Sequence, residues 1–142
     1  MTMLKTLTSK KMDLNKKARE YFTAFSNKNI KILDDLYADA IYLIDWTDSA
    51  QGKTDVLEMN QNLFNSFDGI EIIVQKIYFD KNVAICEIKI LLDDKNKRLT
   101  LKVVDIIEYN DRGEIIAIRA YLGGEKTDSK PFDGNMGPWD FE

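Results

Sequence analysis

Three residues stand where chemistry could be done: Asp105, Asp45 and Tyr21. Asp105 lies in Leu99-Thr100-Leu101-Lys102-Val103-Val104-Asp105-Ile106-Ile107-Glu108-Tyr109, a stretch that reads as a β-strand. Strand side chains alternate between two faces, so Leu99, Leu101, Val103, Asp105, Ile107 and Tyr109 share one face. An ionised carboxylate in the middle of such an apolar row is costly. It must find partners or take up a proton. A carboxyl kept there is a candidate functional group; the competing reading is a buried Asp bonded to a loop amide or a tyrosine. Asp45 is a second carboxylate at the end of an apolar row, Ile41, Leu43, Asp45, where the competing reading is a strand-end Asp that opens a loop. Tyr21 falls inside a helical stripe with Leu14, Ala18, Phe22 and Phe25, where core packing is the commoner role.

Composition narrows the chemistry. The 142 residues include no histidine, which removes Ser-His and Cys-His relays and histidine metal sites together. Proton transfer then falls to Asp, Glu, Tyr, Lys or Cys. The single cysteine, Cys86, excludes an intramolecular disulfide and reads as a small hydrophobe within the apolar run 83–92. A net charge of −4 argues against nucleic acid as the main partner. No P-loop, GxGxxG or zinc spacing occurs, and Asp93-Asp94 reads as a solvated hairpin turn rather than a metal site. No apolar run approaches the roughly 20 residues needed to span a bilayer, and Met1 to Met12 lacks the apolar block of a secretory signal. The expectation is a cytoplasmic protein with no membrane partner.

The elements that position these residues can be read in order. Residues 1–12 form a polar arm, 13–123 one domain, and 124–142 a tail carrying Trp139 and Phe141. Ser26-Asn27-Lys28-Asn29 ends the first helix and caps a short second one, in which Ile30, Leu33, Leu36 and Tyr37 make the apolar edge. A strand follows through Asp45-Trp46, then a loop from Thr47 to Gly52. A third helix carries the stripe Val56, Leu57, Asn60, Leu63, Phe64, Phe67, with Asn60 its only polar member. Strands are predicted over about 70–79, 82–92, 98–109 and 115–123, the last with Ile116, Ile118, Ala120 and Leu122 on one face and Arg119 and Tyr121 on the other. The fold class is α+β, with three helices on one face of a strongly curved, mostly antiparallel sheet that leaves an apolar pocket between them.

This pattern resembles the nuclear transport factor 2-like superfamily of cone-shaped domains, and within it the ketosteroid isomerase and SnoaL-like polyketide cyclase branch. The resemblance rests on Ala18-Arg19-Glu20-Tyr21-Phe22, Leu36-Tyr37-Ala38-Asp39, Ile44-Asp45, Gly52-Lys53-Thr54-Asp55-Val56, Val104 to Tyr109, Gly113-Glu114-Ile115 and Ile118-Arg119-Ala120-Tyr121.

The resemblance implies that Asp45 is a general base, while Tyr21 and a protonated Asp105 bond a substrate carbonyl oxygen. Tyr37 would support Tyr21. Asn60 replaces a further tyrosine and would break one link of the network that tunes Tyr21. Trp46 stands where proline is usual and would reshape the mouth. The pocket is expected to include Tyr37, Trp46, Asn60, Ile88, Ile90, Leu101, Val103, Ile118 and Leu122. The implied activity is a cofactor-independent, metal-independent proton transfer through an enolate. Its partner would be a small apolar carbonyl- or phenol-containing molecule. A homodimer through the outer face of the sheet is also implied. Rival readings are a polyketide cyclase using Asp45, an epoxide hydrolase needing two carboxylates and an arginine, and a non-catalytic binding or dimerisation domain. The epoxide hydrolase ranks low, because Arg119 alternates away from the pocket. A non-catalytic domain would tie Asp105 firmly to protein groups.

Overall fold

The computed structural model describes residues 13–128. The expected arm, and the tail with Trp139 and Phe141, lie outside the described residues. Helix α1 (Leu14–Ser26) starts where the Asp13 side chain accepts from the Lys16 amide at 3.1 Å. Its apolar stripe buries Leu14, Ala18, Tyr21, Phe22 and Phe25. Asn29 caps α2 (Ile30–Leu36) in the same way, through the Ile32 amide. Strand β1 (Tyr37–Ile44) begins as soon as α2 ends, so Tyr37 opens a strand rather than closing a helix. Part of the expected loop is a short strand, β2 (Ser49–Gln51), which turns back antiparallel on β1. Gly52, at φ +90°, then redirects the chain into α3 (Lys53–Ser66).

The remaining chain is a meander: β3 (Gly69–Asp80), β4 (Val83–Asp94), β5 (Lys97–Tyr109) and β6 (Ile115–Asp128). β6 continues five residues beyond the expected end at Gly123, so residues 124–128 of the supposed tail pair with β5. The order across the six-stranded sheet is β2-β1-β6-β5-β4-β3, antiparallel except for β1 beside β6. Register shifts interrupt β3–β4 at Val74/Lys76 and β5–β6 at Lys102/Val103 and Glu108/Tyr109. Such bulges bend and twist the strands that carry them, and here they curl the sheet around the helices. The bulge near Glu108 also changes the facing of β6. Ile115 and Ala117 are sealed in the core, whereas Ile116, expected inside, is only partly buried.

Helix α1 packs on β3 and β4, and α3 on β1 and β2. One cluster joins the helices to the concave face of the sheet, with Leu33, Tyr37, Ile41, Val56, Ile88, Ile107 and Tyr109 essentially sealed. Among the described residues, no helix is long and apolar enough to cross a membrane.

Candidate active site

Sheet register brings the two aspartates to one level. β1 and β6 pair last at Ile44↔Arg119, so Asp45 comes level with Ala120, which is itself the partner of Asp105 on β5. Two strand spacings separate the two backbones, roughly 10 Å. The small side chain of Ala120 lies between them. Both carboxylates, with Ala120 and Tyr21, line a cavity of about 380 Å³ between α3, α1 and the concave sheet.

Asp105 sits on the cavity wall only 6% exposed. Its carboxyl makes no hydrogen bond with any described residue. Yet its oxygens are not sealed, since the Tyr109 hydroxyl is the only buried side-chain polar atom without a partner among the described residues. They are therefore open to the cavity. Burial, and to a smaller degree repulsion from Asp45, pushes its pKa up to about 7. Near neutrality a large fraction of Asp105 is thus the neutral acid, a donor with no protein acceptor.

Asp45 is built differently. Its Oδ1 accepts from the Thr47 amide at 2.7 Å, the Thr47 hydroxyl at 2.9 Å and the Asp48 amide at 2.9 Å. These bonds fix the side chain at the strand end. Among the described residues Oδ2 accepts none, so one oxygen stays available at the mouth. The loop-opening role occupies one oxygen of Asp45 and leaves the other unbonded among the described residues.

Tyr21 lies on the cavity, 4% exposed, with its hydroxyl near enough to that of Tyr37 for the two to interact. Tyr37 in turn donates to Asn60 Oδ1 at 2.6 Å. A hydroxyl has one proton, so toward Tyr21 the Tyr37 oxygen can only accept. Burial holds both phenols far above the usual tyrosine range, and for Tyr21 nearby Tyr37 and Asp105 add to it. The expectation that Asn60 breaks the network is corrected: its amide oxygen closes the chain from the tyrosines to α3.

Of the expected pocket residues, Trp46, Asn60, Ile90, Leu101, Val103 and Ile118 line the cavity. Three do not. Tyr37 is 1% exposed and stands a layer behind Tyr21. Ile88, also 1% exposed, is sealed within the core. Leu122 lines a separate hollow with Ile44, Trp46, Ala120 and Tyr121. The sequence reading also missed Phe25, Met59, Leu63, Ile72 and Leu92 as lining residues. Phe25, Leu63 and Leu92 stood in apolar rows, where they are indistinguishable from ordinary core, whereas Met59 and Ile72 stood in none of the rows read from the sequence.

Among the described residues no Lys or Arg lines the cavity, whereas Asp45, Asp48 and Asp105 do. Arg119 is on the outer face, bonded to Glu108 and Tyr42, as its alternation predicts. Cys86, opposite Asp105 on β4, is fully buried and its thiol is pushed up to about 12 by burial, so it behaves as a hydrophobe. Among the described residues no group of three or more His, Cys, Asp or Glu could hold a metal ion.

Comparison with solved structures finds the same fold at low identity. An LEH-like epoxide hydrolase from M. tuberculosis aligns with a TM-score of 0.68 and 18% identity over 75% of this chain and 80% of that one. A Kribbella flavida protein provisionally described as a ketosteroid isomerase gives 0.62 and 21% over 76% of each chain. A Shewanella denitrificans protein provisionally described as a SnoaL-like polyketide cyclase gives 0.69 and 10% over 76% and 88%. No functionally curated protein matches the sequence. The family profile of the SnoaL-like domain matches residues 18–118, most of the chain, from the helix that carries Tyr21 to the strand beside Asp105. The protein belongs to the SnoaL-like domain family of the nuclear transport factor 2-like superfamily.

Proposed function

We propose that the protein is an isomerase-type enzyme that moves a proton on a small, mostly apolar carbonyl compound by way of an enolate. The observation that carries this reading is Asp105: nearly sealed, in an apolar cavity, with a pKa near 7 and no protein partner among the described residues. A carboxyl held neutral to donate to an oxyanion is the role the handful of apolar neighbours favours, and ketosteroid isomerase is the standard precedent for it. Asp45 Oδ2 takes the proton from the carbon beside the carbonyl. Asp105 and Tyr21 stabilise the oxygen as it gains charge, Tyr21 by turning its proton from Tyr37 to the ligand. Asp45 then returns the proton to another carbon. A general base contributes roughly 10²- to 10⁴-fold in rate, and an oxyanion donor in a dry site roughly 10²- to 10³-fold. The scheme calls for no cofactor.

The cavity also constrains the ligand. At about 380 Å³ it is near the small end of ligand pockets and suits a molecule of about two fused rings. Three aspartates and no cation among the described lining residues favour neutral over anionic substrates. A non-catalytic binding domain is the weaker reading because Asp105 is not tied to protein groups. Epoxide hydrolysis is weaker because no arginine lines the cavity among the described residues. Assembly as a homodimer fits the outer sheet face, where Tyr42, Ile44, Ile73, Tyr78 and Tyr121 are exposed.

The test is an ultraviolet titration with 2-naphthol, whose spectrum separates phenol from phenolate. Wild type is expected to bind it with a phenolate-like shift, and Asp105→Leu and Tyr21→Phe to weaken both. Absence of binding and shift in the wild type would refute the oxyanion site.

A further inference from the structure

The chain Tyr21–Tyr37–Asn60 has a direction, and the direction leaves one group over. Tyr37 spends its only proton on Asn60 Oδ1. That bond fixes which way the Asn60 amide faces, because the oxygen must point at Tyr37 and the nitrogen away from it. Asn60 is 3% exposed and lines the cavity. Among the described residues its Nδ2 donates to nothing, and it is not among the sealed unpartnered atoms. The nitrogen is therefore reached from the cavity, with two N–H donors and no acceptor among the described residues.

A group of this kind is expensive to bury unless a ligand completes it, costing roughly 1–3 kcal/mol when left unmade. A purely structural role for Asn60 would need only its oxygen. An apolar residue would otherwise be expected between Val56 and Phe64 on the buried stripe of α3.

We propose that Asn60 is a ligand-binding residue whose Nδ2 donates a hydrogen bond to the same oxygen that Asp105 serves. The inference rests on the enolate reading and adds a residue to it. In the free protein the Tyr37 oxygen is the acceptor beside the Tyr21 hydroxyl, whereas Asp105 and Asn60 are donors with no acceptor among the described residues. Tyr21 joins them by turning its proton from Tyr37 to the ligand. The site thus takes an oxygen with room for bonds from two sides: a carbonyl approached from the sheet by Asp105 and from α3 by Asn60. Ketones and phenols fit this demand, whereas an ether or an amine does not supply the charge that would strengthen both bonds.

The experiment uses the full chain labelled with ¹⁵N and 2-naphthol as probe. The side-chain amide signals of Asn60, assigned by their loss in Asn60→Asp, are followed during the titration. One Asn60 amide proton is expected to move downfield on binding. Asn60→Asp keeps an acceptor for Tyr37 but loses the donor, and is expected to weaken naphtholate binding by roughly 10- to 100-fold, the value of a hydrogen bond to a charged group. If wild type binds naphthol with the phenolate shift while the Asn60 amide stays still and Asn60→Asp binds equally well, this inference is wrong and the enolate reading survives. If wild type neither binds nor shifts the probe, the enolate reading fails and this assignment fails with it. Should Asn60→Asp not fold, the Asn60 amide is assigned by triple resonance in wild type labelled with ¹³C and ¹⁵N, and its shift alone decides.

Discussion

Replacing Asp105 with asparagine should stabilise the protein, and by an amount that depends on pH in a defined way. In the fold this carboxyl has a pKa near 7, against about 3.9 in an unfolded chain. Between those values the unfolded chain loses the proton while the native protein keeps it, so stability falls as pH rises. The cost is small below pH 4, grows by about 1.4 kcal/mol per pH unit, and levels off above pH 7. The difference of about three pKa units then amounts to less than about 1 kcal/mol near pH 4 and about 4 kcal/mol at pH 8. Asp105→Asn keeps the shape of the side chain and cannot ionise, so it escapes this cost. Urea denaturation of both proteins at pH 4 and pH 8 measures it directly, since every other titrating group is common to the two. The expected gain is small at pH 4 and several kcal/mol at pH 8, or roughly 10 °C in Tm for a domain of this size. An equal difference at both pH values would mean that Asp105 titrates normally, and the argument for a neutral donor would collapse.

Three further outcomes follow from the geometry. Asp45→Asn should slow deuterium exchange at the α-carbon of a bound enolisable ketone by roughly 10²- to 10⁴-fold while leaving naphthol binding in place; unchanged exchange would remove Asp45 as the base. Tyr109→Phe should raise stability by about 1 kcal/mol, because its hydroxyl is sealed without a partner among the described residues; a clear loss in urea denaturation would show that the hydroxyl is satisfied. Gly113→Ala should destabilise by about 1 kcal/mol, since Gly113 has φ +81° and an added Cβ would come within 2.9 Å of the Lys17 side chain; unchanged stability would show that the turn relaxes freely.

Much of this was legible in the residues, for a physical reason. Alternation along 99–109 is strict, so the facing of Asp105 could be read from parity alone, and the same holds for Ile41, Leu43 and Asp45. Helical spacing likewise identified the buried face of α1. Parity reports a face but not what lies over it. Ile88 points inward as expected, yet the core closes on it, while Ile72 and Leu92 meet the cavity instead. Bulges defeat parity altogether, and Ile116 was misplaced because one lies beside it. The β2 strand was hidden in Asp48-Ser49-Ala50-Gln51-Gly52, whose composition is that of a loop and whose pairing is set only by the neighbouring β1. Asn60 was visible as an odd polar residue. Its partner Tyr37 lies 23 positions away, and no local pattern links the two.

The central claim is that Asp105 remains a neutral acid close to pH 7. It is tested most directly by following the Asp105 side-chain carboxyl carbon by ¹³C NMR as pH is raised from 4 to 9, with Asp105→Asn used to assign the signal. A titration midpoint near 7 is predicted. A midpoint below about 5, in the ordinary carboxylate range, would contradict the account.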